Sequence, residues 1–274
     1  MVCATTLDRD NVYRGEASIL RICVLASSSA GNATFIASSR TRLLIDAGIS
    51  RREIVDRLAA IGELPEALDA VLISHEHTDH VCGLLPLARK FHLPVYMSAL
   101  TAPAMAWGDY LPRLELFQAG QRIRIGDLEI DTFTIPHDAV DPVGFCVCAD
   151  GVKAGFVTDL GYLPESVRYH LRHCDCLALE SNHDLDMLKV GPYPWPVKQR
   201  VMGRNGHLSN DMVSDFILES LNGNLKTLLL GHLSEHNNHP AIVHMAASRA
   251  LRRRWLAPKL MIAEPRARTE VFEV

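Results

Sequence analysis

Short apolar runs in this sequence end, again and again, on a histidine or a carboxylate. Leu43-Leu44-Ile45 runs into Asp46, Ala70-Val71-Leu72-Ile73 into Ser74-His75, and Phe133-Thr134-Ile135-Pro136 into His137. Phe156-Val157-Thr158 leads to Asp159, Leu177-Ala178-Leu179 to Glu180, and Leu228-Leu229-Leu230-Gly231 to His232. Apolar runs of this length between turn formers are buried strands. A polar residue at the end of such a run sits at the rim of a sheet. Recurrence of the same chemistry at successive rims constrains the chain to layered sheets whose strand ends converge on one site.

The remaining pattern fills in the layers. Strands are expected at 19–26, 33–37, 42–46 and 70–74. A helix is expected at 51–61 between Ser50, a capping residue, and Gly62, a terminator. Residues 79–92 read as a helix with Leu84, Leu85, Leu87 and Ala88 as its apolar stripe. A strand at 95–98 and a short helix at 99–107 follow. Hairpins are expected from 122–125 with 128–135 about Gly126-Asp127, and from 144–148 with 155–158 about Asp150-Gly151. Helices at 164–173, from Ser209 or Asn210 to 221, and at 240–254 alternate with strands at 177–180, 225–230 and 260–264. No linker or long repeat interrupts this order, so residues 19–274 read as one domain of two layered halves behind a mobile tail at 1–18.

Composition removes several classes. With 274 residues, 48% of them hydrophobic, and a net charge of −4, the chain can bury a full core and is not disordered. No apolar run approaches the ~20 residues a membrane span needs. The polar first 18 residues carry no apolar signal core. Seven cysteines, an odd number without a C-x-x-C pair, point to a reducing cytoplasm. Cys146 and Cys148, and Cys174 and Cys176, read as small buried hydrophobes. Arg51-Arg52, Lys198-Gln199-Arg200 and Arg252-Arg253-Arg254 read as solvated faces.

Histidine is abundant, at 13 residues, and its placement carries the chemistry. The strongest segment is Ser74-His75-Glu76-His77-Thr78-Asp79-His80, between a buried strand and an amphipathic helix. In extended chain, residues two apart point the same way, so His75 and His77 can grip one cation. Where the helix starts, Asp79 and His80 aim at a second point close by. Imidazoles with a carboxylate suit a pair of divalent first-row metals, zinc or manganese and also iron. One segment cannot close two coordination spheres, and His137, Asp159 and His232 are the candidates for the remainder.

The pattern H-x-H-x-D-H at 75–80 with later His, Asp and His resembles the metallo-β-lactamase-fold hydrolases. Further segments make it similar to their YycJ/WalJ-like subfamily. These include Ser29-Ala30-Gly31-Asn32, Leu44-Ile45-Asp46-Ala47-Gly48, Pro136-His137-Asp138-Ala139 and Thr158-Asp159-Leu160-Gly161. Glu180-Ser181-Asn182-His183-Asp184, Gly191-Pro192-Tyr193-Pro194, Gly206-His207-Leu208-Ser209-Asn210 and Gly231-His232-Leu233-Ser234 continue it. The resemblance implies an α/β fold, a four-layer αββα sandwich with the site along one edge. It implies His75, His77 and His137 on one metal, Asp79, His80 and His232 on the other, and Asp159 bridging. It implies exonuclease-like action on DNA, with RNA or small phosphodiesters cleaved by more distant members.

Charge supports that chemistry. Two divalent ions, two aspartates and a bridging hydroxide leave about one net positive charge in a shielded site, which attracts an anionic phosphodiester. Bound metals also bring the pKa of water down to about 7. Asp79, Glu180 and His207 stand as the catalytic candidates, His207 because it precedes a capped helix and can protonate a leaving oxygen. Asp46 either orients a ligand histidine or forms a turn before Ala47-Gly48. Glu180 and His183 contact metal or substrate, or cap the following helix, and Asn182 is a further candidate on the substrate side or behind the ligands. Lys198 meets a phosphate or is solvated, and Ser29 and Asn32 line the site or turn the chain. A thioester or lactone hydrolase on the same metal pair is the alternative reading. Nucleic acid or another phosphodiester is the expected partner, with no membrane and an oligomeric state left open.

Overall fold

The computed structural model describes residues 19–274; the tail expected at 1–18 lies outside the described residues. Two seven-stranded sheets pack face to face. The first holds β1 (Arg21–Ser28), β2 (Gly31–Ala37), β3 (Arg42–Ile45), β4 (Ala70–Leu72), β5 (Val95–Ser98) and β6 (Leu114–Phe117) in that order. The short C-terminal strand β14 (Phe272–Glu273) pairs outside β1. The second sheet runs β7 (Arg122–Ile125), β8 (Leu128–Thr134), β9 (Val143–Ala149), β10 (Val152–Val157), β11 (Cys176–Glu180), β12 (Thr227–Gly231) and β13 (Lys259–Ile262).

Each sheet begins as an antiparallel meander and continues in parallel. β1, β2 and β3 alternate in direction, whereas β3 through β6 are parallel. Likewise β7 through β10 alternate and β10 through β13 are parallel. Parallel neighbours need crossovers, and all but the one from β5 to β6, which holds a single 3₁₀ turn at Ala102–Ala104, run through α-helices. Helix α1 (Arg51–Ala59) joins β3 to β4; α2 (Thr78–Val81) and α3 (Leu84–Phe91) join β4 to β5. Helix α4 (Glu165–His170) joins β10 to β11, and α5 (Leu185–Val190), α6 (Trp195–Val201) and α7 (Asn210–Glu219) lie between β11 and β12. Helix α8 (Pro240–Arg253) precedes β13. Among the described residues no helix is long and apolar enough to cross a membrane.

Side-chain alternation along the strands builds three cores. Ile22 and Val24 of β1 join Ile36, Leu43 and Leu72 against Ile130, Phe145, Phe156 and Leu229 between the sheets. The alternate residues Cys23 and Leu25 face outward onto Ile54, Leu58, Leu84 and Leu87 of the helices. The outer face of the second sheet buries Cys146, Leu177 and Leu228 against Val167, Phe216 and Val243. The order is therefore helix, sheet, sheet, helix, as expected.

Local signals held where they were self-contained. Ser50 caps α1 in a reciprocal box with Glu53. Asp150 and Gly151 take φ of 44° and 88°, the two left-handed positions that a tight hairpin turn between β9 and β10 demands. The helix expected at 79–92 is instead two helices. The Gly83 amide leaves the helical ladder to donate to the Ala47 carbonyl at 2.8 Å, and a Cβ there would lie 2.0 Å from the Ile49 carbonyl oxygen. The helix expected at 99–107 shrinks to one 3₁₀ turn, Ala102–Ala104. Strands β6 and β14 and helices α5 and α6 were not expected.

Candidate metal centre

In open sheets with parallel strands, ligands gather beyond the carboxyl ends of the strands. Those ends here carry Asp46 after β3, Ser74 and His75 after β4, Asp159 after β10, Glu180 closing β11 and His232 after β12. Asp46, Asp159 and His232 take φ of 60°, 62° and 54°. A non-glycine residue there gives up roughly 1–2 kcal/mol of backbone energy, and such strain persists where the surroundings impose it. The turn swings each side chain back over the sheet edge. His77 and Asp79 come from the start of α2, His137 from the loop after β8.

Two adjacent groups of donor atoms result. His75, His77 and His137 place ring nitrogens within 4.8 Å of one another, and so do Asp79, His80, Asp159 and His232 with theirs. His77 Nδ1 lies 3.3 Å from His137 Nε2. Asp159 stands between the groups, with Oδ2 3.1 Å from His80 Nε2 and Oδ1 3.4 Å from His232 Nε2 and 3.9 Å from His137 Nε2. His75 Nε2, His232 Nε2 and Asp159 Oδ2 are buried and make no hydrogen bond. Buried polar atoms are normally paired, and these converge where a cation would take their lone pairs. The donor set fits divalent metal.

Partners on the far side of the rings fix how they face. Asp46 Oδ2 accepts from His80 Nδ1 at 2.8 Å, while the Ser74 amide and hydroxyl donate to its two oxygens at 2.8 and 2.9 Å. Ser74 Oγ also lies 3.0 Å from His75 Nδ1. His137 Nδ1 reaches the Gly206 carbonyl at 3.3 Å, and His232 Nδ1 reaches Glu180 Oε1 at 2.7 Å. In each ring Nδ1 is occupied, so Nε2 is left for the centre, the arrangement that orients ligand histidines and raises their basicity.

Glu180 forms a third group with Asp159, His207 and His232. Its bonds argue against a third cation. Oε1 accepts from His207 Nδ1 and His232 Nδ1, both at 2.7 Å, and Oε2 accepts from the Leu160 and Leu208 amides, both at 3.1 Å. All four lone-pair directions are used, and the residue is fully buried. Glu180 is thus a positioning carboxylate behind two histidines, away from the cleft where a catalytic acid would have to stand. His207 is the partly exposed one, and it lines a cleft of about 190 Å³ with Ser29, His77, Asp79, His137 and Asp159.

Charge tunes the metal-free site. Burial opposes ionisation of Asp159 and Asp79, yet the neighbouring His232 and His80 hold both carboxyls well below the usual range. Burial pushes His232 down, but Asp159, Asp79 and Glu180 reverse this and lift it to about 10. His80 is lifted in the same way by Asp159 and Asp46. His75 and His137 go the other way, lowered chiefly by burial. For His207 burial is again overridden, here by the Glu180 carboxylate, and its pKa ends above the ordinary value.

The other sequence candidates divide. Ser29 lines the cleft. Asn32 Nδ2 touches Ser28 O at 3.0 Å, His80 Nε2 at 3.1 Å and Asp79 Oδ2 at 3.4 Å. Asn182 is buried and donates to the His232 carbonyl at 2.9 Å, so it holds the backbone of that histidine. His183 is buried, lowered by that burial to about 4, and absent from the cleft lining. Lys198 is not brought to the cleft: its Nζ turns to the end of α5, donating to the Lys189 carbonyl at 2.7 Å. Arg200, two residues on, lines the cleft instead. Ser74 and Ser27, whose Oγ accepts from the His232 amide at 2.7 Å, escaped the sequence reading because a buried serine has no distinguishing pattern.

Comparison with known proteins agrees with this geometry. Residues 41–220 match the beta-lactamase superfamily domain. The exodeoxyribonuclease WalJ of Streptococcus pneumoniae is 37% identical over 227 residues, covering 81% of this chain and 84% of that protein. The exodeoxyribonuclease YycJ of Bacillus anthracis is 33% identical over 237 residues, covering 85% and 89%. The crystal structure of the metallo-β-lactamase-fold protein YhfI from Bacillus subtilis superposes with a TM-score of 0.71 at 20% identity, over 94% of this chain and 100% of that one. The chain belongs to the β-lactamase superfamily, in the family of WalJ and YycJ.

Proposed function

We propose that the protein is a divalent-metal-dependent exonuclease acting on DNA. One observation carries this reading: two groups of metal-ligating side chains lie side by side at an open cleft, Asp159 of one standing 3.9 Å from His137 of the other, and a histidine held by a buried glutamate stands at their side. The names of the WalJ and YycJ relatives support DNA as the substrate. His75, His77 and His137 would hold one ion, Asp79, His80 and His232 the other, with Asp159 between. Zinc, manganese or iron fit imidazole with carboxylate. Bound there, such ions polarise a phosphoryl oxygen and make water nucleophilic at neutral pH.

The chain's own residues supply the rest. Asp46, Ser74, Gly206 and Glu180 keep the rings aimed, so little reorganisation is needed on binding. His207, whose pKa the Glu180 carboxylate raises against the effect of burial, can in its protonated form give its Nε2 proton to a leaving oxygen. The decisive test is digestion of end-labelled DNA, single-stranded and duplex, with manganese, zinc or chelator. Stepwise shortening that needs metal and stops with chelator is expected. Hydrolysis of S-lactoylglutathione with DNA left intact would overturn the reading.

A further inference from the structure

One arginine stands in the cleft wall, its side chain 68% exposed, and its placement is specific. Among the described residues lining the cleft, Arg200 is the sole lysine or arginine. It projects from α6 beside Val197 and Val201, residues one turn apart on the same helical face, and all three line the cleft. Its Nε donates to Asp138 Oδ2 at 2.5 Å, and Asp138 Oδ1 lies 3.5 Å from His137 Nε2. The guanidinium is therefore anchored through one carboxylate to the edge of the histidine pocket. That anchor uses Nε alone, which leaves the two terminal nitrogens as a fork.

From this geometry we infer that Arg200 is the substrate-binding residue for the phosphate next to the scissile one, and that Asp138 is its positioning residue. The inference rests on the nuclease reading. Guanidinium forks match phosphate oxygens in pairs, and holding Nε beforehand reduces the rotamer freedom lost on binding. Asp138 faces Arg200 and His137, so it tethers the cation without closing it off from the cleft. A small phosphodiester with one phosphate engages only the metal side. A DNA strand reaches both, so Arg200 makes the site favour polynucleotide.

The test compares the metal-loaded wild type with Arg200→Ala, Arg200→Lys, Asp138→Ala and the double variant, with metal content checked in each. Substrates are a labelled single-stranded oligonucleotide and bis-p-nitrophenyl phosphate. Arg200→Ala should raise KM for the oligonucleotide by roughly 10- to 100-fold, the range for loss of a charge-assisted hydrogen bond, with a much smaller fall in kcat. The loss in kcat/KM on bis-p-nitrophenyl phosphate should be at least about tenfold less. The slope of log KM against log salt should drop by about 0.7. Arg200→Lys should recover part of the KM, and Asp138→Ala should add nothing in the Arg200→Ala background. Equal losses on both substrates, or an unchanged KM and salt slope, would overturn the inference while leaving a DNA-cleaving wild type intact. Anisotropy with metal-free protein separates the two readings. A wild type that binds the oligonucleotide through Arg200 but never cleaves it sinks the nuclease reading alone, and one that neither binds nor cleaves sinks both.

Discussion

The tetrapeptide Gly-His-Leu-Ser stands at 206–209 and again at 231–234, and both histidines hang on one oxygen, Glu180 Oε1, at 2.7 Å. Both leucines are fully buried. The copies differ in what precedes them. His232 leaves β12 directly, with φ of 54° and a side chain 1% exposed, and its Nε2 points between Asp79 and Asp159 at 3.7 and 3.4 Å. His207 comes from the exit of α6 and is 21% exposed at the cleft wall. The same four residues, pinned to the same carboxylate, place one imidazole among buried donor atoms after a strand and the other at the cleft wall after a helix, and we propose a ligand role for the first and a proton-donor role for the second. Role follows from backbone approach, not from the tetrapeptide.

The largest effect should separate the two at once. His232→Ala should lose one of about two divalent ions per chain and nearly all activity, because a rigid donor of one pocket is gone. Metal analysis beside the assay checks it. His207→Ala should fold, keep both ions and lose ~10²–10⁴-fold in kcat, the range for a general acid. If His207→Ala drops an ion and His232→Ala does not, the comparison is reversed.

A third substitution attacks what the two copies share. A glutamine at 180 offers one oxygen and one amino group where the carboxylate offers two acceptors. Whichever way the amide turns, two buried donors face an N–H: either both imidazoles, or the Leu160 and Leu208 amides. Glu180→Gln should therefore destabilise the fold by about 2–4 kcal/mol. The sign with pH is fixed. Although burial works against it, His207 and His232 lower the Glu180 pKa to about 2 in the folded protein. Its stabilisation is present above the ordinary glutamate range and lost as pH falls toward 2. Denaturant titrations across that range should show the wild-type advantage shrinking; a constant difference would mean the histidines do not lean on the charge. Since Glu180 also lifts His207, the alkaline limb of the rate profile should move to lower pH in the variant.

What the sequence made legible were features that are local or repeated. Strand ends reveal themselves by an apolar run meeting a polar residue, and His75 through His80 concentrate four donors in six positions. What it hid depended on distant partners. Nothing near Gly83 announces that its amide will leave a helix for Ala47. Pro192, Pro194 and Pro196 interrupt any helical pattern between 185 and 201, so the sequence reading assigns no element there, neither α5 nor α6, and with them neither the turn of Lys198 toward Lys189 nor that of Arg200 toward the cleft. One helical step of two residues separates those fates, and without the helix neither direction could be assigned.

The smallest expected effect is a count of protons, and it sharpens the comparison independently of activity. In the metal-free protein His80 and His232 are lifted above the usual histidine range, so both carry a proton at neutral pH, whereas His75 and His137 are lowered and neutral. A cation needs the Nε2 lone pair, so loading near pH 7 should release about two protons per chain from histidine, one each from His80 and His232, beyond what bound water gives up. His207 is also lifted by Glu180, but as a cleft-wall group outside both ligand sets it should contribute no released proton. Titrating zinc or manganese into metal-free protein in weak buffer gives the count directly. His232→Ala, which loses the ion that His80 would also hold, should remove both of these released protons, and His207→Ala none. The linkage also has a sign. Stability contributed by a His pKa raised to about 10 is full below the ordinary value near 6.5 and lost as pH rises through 10. The metal-free protein should weaken over that window, while metal, competing with fewer protons, binds more tightly. The melting temperatures of the two forms should therefore diverge from about pH 6 to pH 9. A gap that stays constant, or a third released proton that vanishes in His207→Ala, would make both Gly-His-Leu-Ser histidines ligands and erase the distinction between them.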